Sequence, residues 1–380
     1  MNKNSLQADL IRVAKRENNE RRRYVLVNTL QGKHVPVLPS ASYEMMTALG
    51  RVVLPEMRGK NVLVVGFAET ATAIAAVVAG TLGCRFITTT RESIPGSSRY
   101  YRFLEEHSHA TDQSICGDRL DELVNGVDAL LLVDDEISTG KTVCNMITEL
   151  CANIPELAKV QFYALSVVNR MNEEELACFG QRGIYARWLV RMEKDGYDAY
   201  ISSVSAVALR SCNSIAEHGR SIAVQPVSGS IDPRLGVTDI SQYARACARL
   251  AGRLADMLCL KLSRAQRVLI LGTEECMYPA MITGLAFEKH FPALAVRGHA
   301  TTRSPITPSE SFPHYPIRNG WSLRSFYDSA RQTFIYNLDR YDFAVVLTDA
   351  YQEPSAGAED LALALREHGV CETYIFRWIE

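Results

Sequence analysis

Two runs constrain the fold of this chain more than any other feature. Asn61–Val65 and Ala129–Val133 are almost wholly apolar, reading Asn-Val-Leu-Val-Val and Ala-Leu-Leu-Leu-Val. Strands covered on both faces read this way, whereas half-exposed strands alternate. Each run leads into a small-residue turn and then a helical pattern, Thr70–Leu82 after the first and Lys141–Ala152 after the second. Strand, turn and helix in repetition specify a parallel sheet with crossover helices. Tyr24–Val27, Cys84–Thr88 and Val160–Val167 are further strand candidates.

The alternation breaks at Val224–Val237, where Gln225–Pro233 is rich in turn formers and has no period. It resumes after an amphipathic helix at Ile240–Leu262. Strands are expected at Arg267–Leu271, Ala293–Arg297, Phe343–Leu347 and Cys371–Phe376. Helices are expected at Tyr278–Lys289, Trp321–Asn337 and Ala358–His368. The reading is two α/β domains, 1–226 and 227–380. An ordered echo links them: Asn61–Ala75 with Arg267–Met281, Thr89–Arg91 with Thr301–Arg303, and 130–135 with 344–349. A duplicated fold accounts for it, as does the general likeness of parallel sheets.

Composition narrows the function. With 47% hydrophobic and 22% charged residues, the 380-residue chain is not disordered overall. A net charge of −2 provides no basic field for nucleic acid. The longest stretch free of Asp, Glu, Lys and Arg is Thr70–Cys84, short of the ~20 apolar residues of a membrane span. The N-terminal residues carry no apolar signal core, and the 10 cysteines form no C-x-x-C pair. A cytoplasmic protein with reduced thiols, acting on small molecules and on neither nucleic acid nor membrane, is expected.

Chemistry concentrates at Leu130–Thr142. A buried strand ends in Asp134 and Asp135, then Glu136, and Ser138-Thr139-Gly140-Lys141-Thr142 opens a helix. Ligands of open α/β sheets bind at the carboxyl ends of strands. A glycine-containing turn before a helix N-terminus offers N–H groups to a phosphate. Two ionised carboxylates only accept hydrogen bonds, which suits ribose hydroxyls or a hydrated Mg²⁺. Together they describe a ribose 5-phosphate pocket. A P-loop would need glycine where Asp135 stands.

Asp134–Thr142 resembles the phosphoribosyl-pyrophosphate (PRPP) signature of type I phosphoribosyltransferases, a likeness spanning roughly residues 20–226. It implies a parallel-sheet core with a hood and a flexible loop, followed here by a second Rossmann-like α/β domain. It also implies transfer of ribose 5-phosphate from PRPP to a nitrogenous acceptor with Mg²⁺ and loss of pyrophosphate. Asp134 and Asp135 would hold the ribose hydroxyls and the metal, and Ser138, Thr139, Gly140, Lys141 and Thr142 the 5′-phosphate. Gly66, Phe67, Ala68, Glu69 and Thr70 would face pyrophosphate, although Glu69 also reads as a helix-start carboxylate. Arg91 opens a long stretch with Arg99, Tyr100, Tyr101 and Arg102 that fits a closing loop or a solvated basic one. His107 and His109 read as loop residues rather than metal ligands. Lys33, His34 and part of Gly196–Ala208 would belong to the hood. Some relatives carry an acid where this chain has Ser138. Glu136 is then the candidate substitute among the catalytic residues Asp134, Asp135, Glu136 and Arg91.

Thr301–Pro305 contains Thr-Arg-Ser-Pro, and Gly272–Glu275 reads Gly-Thr-Glu-Glu. The order of these motifs resembles phosphoribosyltransferases with a C-terminal TRSP domain encoded in bacterial tellurium-resistance gene clusters, thought to make a nucleotide-like metabolite. Thr348–Pro354 lacks the phosphate turn. The second half therefore reads as a ligand-binding domain, with Arg303 facing an anion or paired internally to Glu274. A non-catalytic PRPP or nucleotide sensor is the alternative function, and a homodimer is left open.

Overall fold

The apolar runs become strands buried along their length. A computed structural model describes residues 10–17, 23–104, 113–194, 196–212, 222–311 and 313–380. In it, Val62–Gly66 and Ala129–Val133 have every residue buried. Contacts divide the chain into two compact units, one of residues 43–195 and 231–246, the other of residues 1–42, 196–230 and 247–380.

In the first unit five parallel strands lie in the order Arg85–Thr88, Val62–Gly66, Ala129–Ile137, Gln161–Asn169, Ile184–Arg191. Thr72–Leu82 and Lys141–Asn153 are helical, and the first ends on Gly83 in the left-handed conformation. Leu63, Val65, Leu130, Leu132, Val143 and Met146 belong to one apolar core, so the helix after the carboxylates is fixed by its inward stripe.

The second unit repeats this plan. Its five parallel strands run Ala295–Ala300, Arg267–Gly272, Phe343–Thr348, Glu372–Ile379, Val224–Ser228. The first four follow the chain order of the first unit. The fifth position is filled from upstream, by Val224–Ser228. The likeness extends to single hydrogen bonds. Phe67 N donates to Val133 O and Thr89 N to Gly66 O, as Thr273 N does to Leu347 O and Thr301 N to Gly272 O. Ala68 N donates to Thr89 Oγ1 at 2.8 Å, and Glu274 N to Thr301 Oγ1 at 3.0 Å. Thr90 exchanges both backbone bonds with Ser114, and Thr302 does so with Phe334. Ser114 and Phe334 each lie on the second strand of an antiparallel hairpin, Tyr100–Phe103 with Gln113–Cys116 and Gly320–Arg324 with Gln332–Tyr336. The ordered echo in the sequence thus coincides with a shared strand order and shared strand-end hydrogen bonds.

Two expectations change. Trp321–Asn337 is a hairpin, not a helix. Trp321 and Leu323 alternate with the part-exposed Ser322 and Arg324 on one strand, Thr333–Tyr336 is buried throughout on the other, and the sharp turn comes at Asp328–Arg331. The turn-rich segment around 224–237 contains an edge strand, Val224–Ser228, and the bridge of Val237 to Phe86. The compact units do not follow a single cut after residue 226. Lys33, His34 and Gly196–Ala208, expected over the first site, fall in the second unit. Lys33 and His34 are buried there. Among the described residues, no helix is long and apolar enough to cross a membrane.

Candidate active site

The site is built at the carboxyl ends of two neighbouring strands in the first unit. Gly66 ends one of them, and a Cβ there would lie 2.5 Å from the Ala75 Cβ, so only glycine lets the strand meet its following helix. Phe67 turns inward, 2% exposed, with its ring edge-on to Phe103. Its side chain anchors the loop. Ala68 is held from both sides: its N–H donates to Thr89 Oγ1 (2.8 Å) and its carbonyl accepts from Gln113 Nε2 (2.9 Å). Thr89 Oγ1 in turn donates to Gln113 Oε1 at 2.6 Å. The three groups are buried and fix the backbone of the Gly66–Thr70 loop.

The neighbouring strand continues further than the apolar run, through Ile137. Asp134 and Glu136 therefore sit in sheet register, opposite Ser166 and Val168. Asp134 Oδ1 accepts from the Asp135 N–H at 2.8 Å. The Thr70 hydroxyl lies 3.3 Å from Asp134 Oδ1 and 3.0 Å from Asp135 Oδ1. One hydroxyl thus joins the two loops that the sequence singles out separately. Both aspartates keep part of their surface open, as a ligand-binding pair requires.

Glu136 is placed differently. Its carboxylate pairs with Arg170 at 3.0 Å, with side chains 11% and 4% exposed. Arg170 also donates to the carbonyls of Glu193 (3.3 Å) and Lys194 (2.8 Å). The pair ties the carboxylate strand to the segment that leaves the sheet after Arg191. Gln113 and Arg170 are the supporting residues that sequence reasoning missed. Arg170 directly follows a buried strand, as Asp134 follows an apolar run, and that polar strand end was the available signal.

Ser138–Thr142 forms the turn into the helix Lys141–Asn153. Gly140 has φ +76°, and a Cβ there would fall 2.3 Å from the Phe179 ring. Glycine is required by this fit and this dihedral, besides any approach of an anion. Lys141 is exposed. Arg91 follows the strand end Thr88–Thr90 on the other side of the Gly66–Thr70 loop. Arg99 is committed to Asp121, at 2.6 Å, and stacks over Tyr101. His107 and His109 lie outside the described residues. Among the described residues no cluster of three or more His, Cys, Asp or Glu forms a ready-made metal site.

In the second unit the internal pairing of Arg303 is what the structure holds. Its Nε lies 2.7 Å from Glu274 Oε2.

A phosphoribosyl transferase family model matches residues 10–186, and a model of the TRSP domain found C-terminal to that transferase matches residues 232–364. No curated protein matches the chain. Among solved structures, the chain is similar to a Giardia lamblia adenine phosphoribosyltransferase complexed with 9-deazaadenine, at 18% identity and a TM-score of 0.36 over 51% of this chain and 99% of that one. It is also similar to the adenine phosphoribosyltransferase of Rhodothermus marinus, at 15% identity and 0.34 over 50% and 98%. The orotate phosphoribosyltransferase of Aeropyrum pernix matches at 17% identity and 0.32, over 50% and 94%.

Proposed function

Because this chain is a phosphoribosyltransferase of the family that carries a C-terminal TRSP domain, we propose that it transfers ribose 5-phosphate from PRPP to a nitrogenous, base-like acceptor, with Mg²⁺ and release of pyrophosphate. The observation that carries this reading is the Thr70 hydroxyl set between Asp134 and Asp135. It brings a loop suited to a diphosphate and a pair suited to a ribose diol to one point on the sheet. The transferase region runs through residue 226 and the TRSP region from 227. The setting is cytoplasmic synthesis of a nucleotide-like metabolite, linked to tellurium resistance through the family resemblance.

The residues divide the work by charge. Asp134 and Asp135 accept from the ribose 2′- and 3′-hydroxyls. The N–H groups of Ser138–Thr142 and the helix that follows receive the 5′-phosphate. The Gly66–Thr70 backbone and Arg91 face the pyrophosphate, whose departure leaves oxocarbenium character on the ribose. The two aspartate charges stabilise that character, and most of the acceleration comes from position and electrostatics. Two carboxylates beside a hydroxyl fit Mg²⁺, which takes one or two protein carboxylates and keeps water and substrate oxygens as its other ligands. When bound there it neutralises the leaving group. The buried pair with Arg170 gives Glu136 a positioning role rather than that of a base.

Pyrophosphate release tests the proposal. The chain is incubated with PRPP, Mg²⁺ and a panel of purine, pyrimidine and simple heterocyclic amines. Acceptor-dependent release that disappears in Asp134→Asn/Asp135→Asn supports it, and PRPP binding without release for any acceptor supports a sensor instead.

A further inference from the structure

The turn that ends the Arg267–Gly272 strand holds a buried charge arrangement with no part in the transfer described above. Glu274 has φ +45°, in the left-handed region that non-glycine residues seldom occupy. Its side chain has 0% exposure. Glu274 Oε2 accepts from Arg303 Nε at 2.7 Å and from Arg331 Nη2 at 3.2 Å, while Oε1 accepts from the Ser325 hydroxyl. Arg303 Nη2 also lies 3.9 Å from Glu275 Oε1. Two guanidinium groups thus converge on one oxygen at the carboxyl end of a central parallel strand, the place where such sheets take ligands.

The shared register gives this cluster a counterpart. Glu274 occupies the loop position of Ala68, as the shared N–H bonds to Thr301 and Thr89 show. By the same register Arg303 corresponds to Arg91 and Thr348 to Asp134. At the next helix start Pro354 stands where Gly140 stands, at φ −88° rather than +76°. The second unit has therefore lost the 5′-phosphate turn, since proline offers no N–H, and one carboxylate of the ribose pair. Its loop and arginine remain, with a carboxylate between them.

We infer that Glu274 is a built-in substitute for an oxyanion. The second unit is a phosphoribosyltransferase-type core whose diphosphate position is filled from within. It is closed to PRPP and takes inorganic diphosphate only when that carboxylate is removed. Two arginines stripped of a shared buried carboxylate carry uncompensated charge, and paired guanidinium groups favour phosphate oxygens. Assigning the position to diphosphate rests on the function proposed for Gly66–Thr70 and Arg91. The convergence of the two arginines does not.

Calorimetric titration of the full chain with inorganic pyrophosphate tests this by counting sites. Glu274→Gly removes the carboxylate and suits a positive φ. The expected result is one more bound pyrophosphate per chain than in the unaltered protein, lost again in Glu274→Gly/Arg303→Ala. Because the readout is an increment, it stands whether the first unit binds pyrophosphate or not, and failure of the first-site reading appears separately as a starting count of zero. A folded Glu274→Gly chain with an unchanged count overturns the inference, as does an added site that survives Arg303→Ala. Should the glycine variant not fold, Glu274→Gln decides. Pyrophosphate then raises its melting temperature more than that of the unaltered chain, and an equal rise in both overturns the inference.

Discussion

At the same point of the same loop, the first unit has Ala68 and the second has Glu274. Ala68 carries no charge, whereas the Glu274 carboxylate pairs with Arg303 and Arg331. The backbone bonds that hold the two loops are the same. A strand-end loop is thus a frame fixed by sheet register and a few buried hydroxyls, and one side chain decides whether the frame holds a buried ion pair. The next turn repeats the lesson, with glycine at 140 and proline at 354.

The largest expected effect lies at the Glu136–Arg170 pair of the first unit. Arg170→Ala leaves the Glu136 carboxylate buried without its partner and should cost about 3–5 kcal/mol, read by urea denaturation. A double replacement of Glu136 and Arg170 by apolar residues of similar size should recover most of it. A loss below 1 kcal/mol in the single variant would make the pair a surface contact in effect.

Gly140→Ala comes next. The left-handed backbone costs about 1–2 kcal/mol, and forcing a Cβ against Phe179 costs about 1–3 kcal/mol more. Thermal unfolding should show the sum, and PRPP binding should fall with it. Pro354→Ala, at the matching position, should change stability little.

Acid should separate the units. His34, His299 and His368 all lie in the second unit, and burial is the main cause that lowers the pKa of each below the ordinary value. The Lys33 charge adds to the effect at His34. These rings stay neutral in the folded state and gain protons on unfolding below about pH 6.5. Stability is therefore present above that pH and is lost as pH falls towards the depressed values. The slope is at most about 1.4 kcal/mol per pH unit for each histidine. Hydrogen exchange at pH 7.5 and 5.5 should show protection lost first in the second sheet. Equal loss in both sheets would contradict this.

The smallest effect is expected at Thr70→Val. One hydrogen bond to a charged group is worth about 1.5–3 kcal/mol. This one is shared and partly exposed, so a roughly tenfold loss in PRPP affinity or less, without loss of fold, is expected.

Much of this was legible in the chain. Apolar runs marked the central strands, and the strand-end motifs marked Asp134, Asp135 and the Gly66–Thr70 loop, because period and turn chemistry are local. The hairpin at Gly320–Tyr336 was read as a helix because its register depends on Thr302, whose pairing with Phe334 is not a local signal. Arg170 was missed for the same reason: its partner is 34 positions away in sequence. The echo between the halves is visible in three short matches, but the strand-end hydrogen bonds they share depend on non-local register and are not legible in the chain.

Calorimetric titration with PRPP, with and without Mg²⁺, tests the central claim most directly. The unaltered chain should bind PRPP at one site, more tightly with Mg²⁺, and Asp134→Asn/Asp135→Asn should lose at least tenfold in affinity while remaining folded. Equal affinity in the two proteins would contradict the assignment of the site.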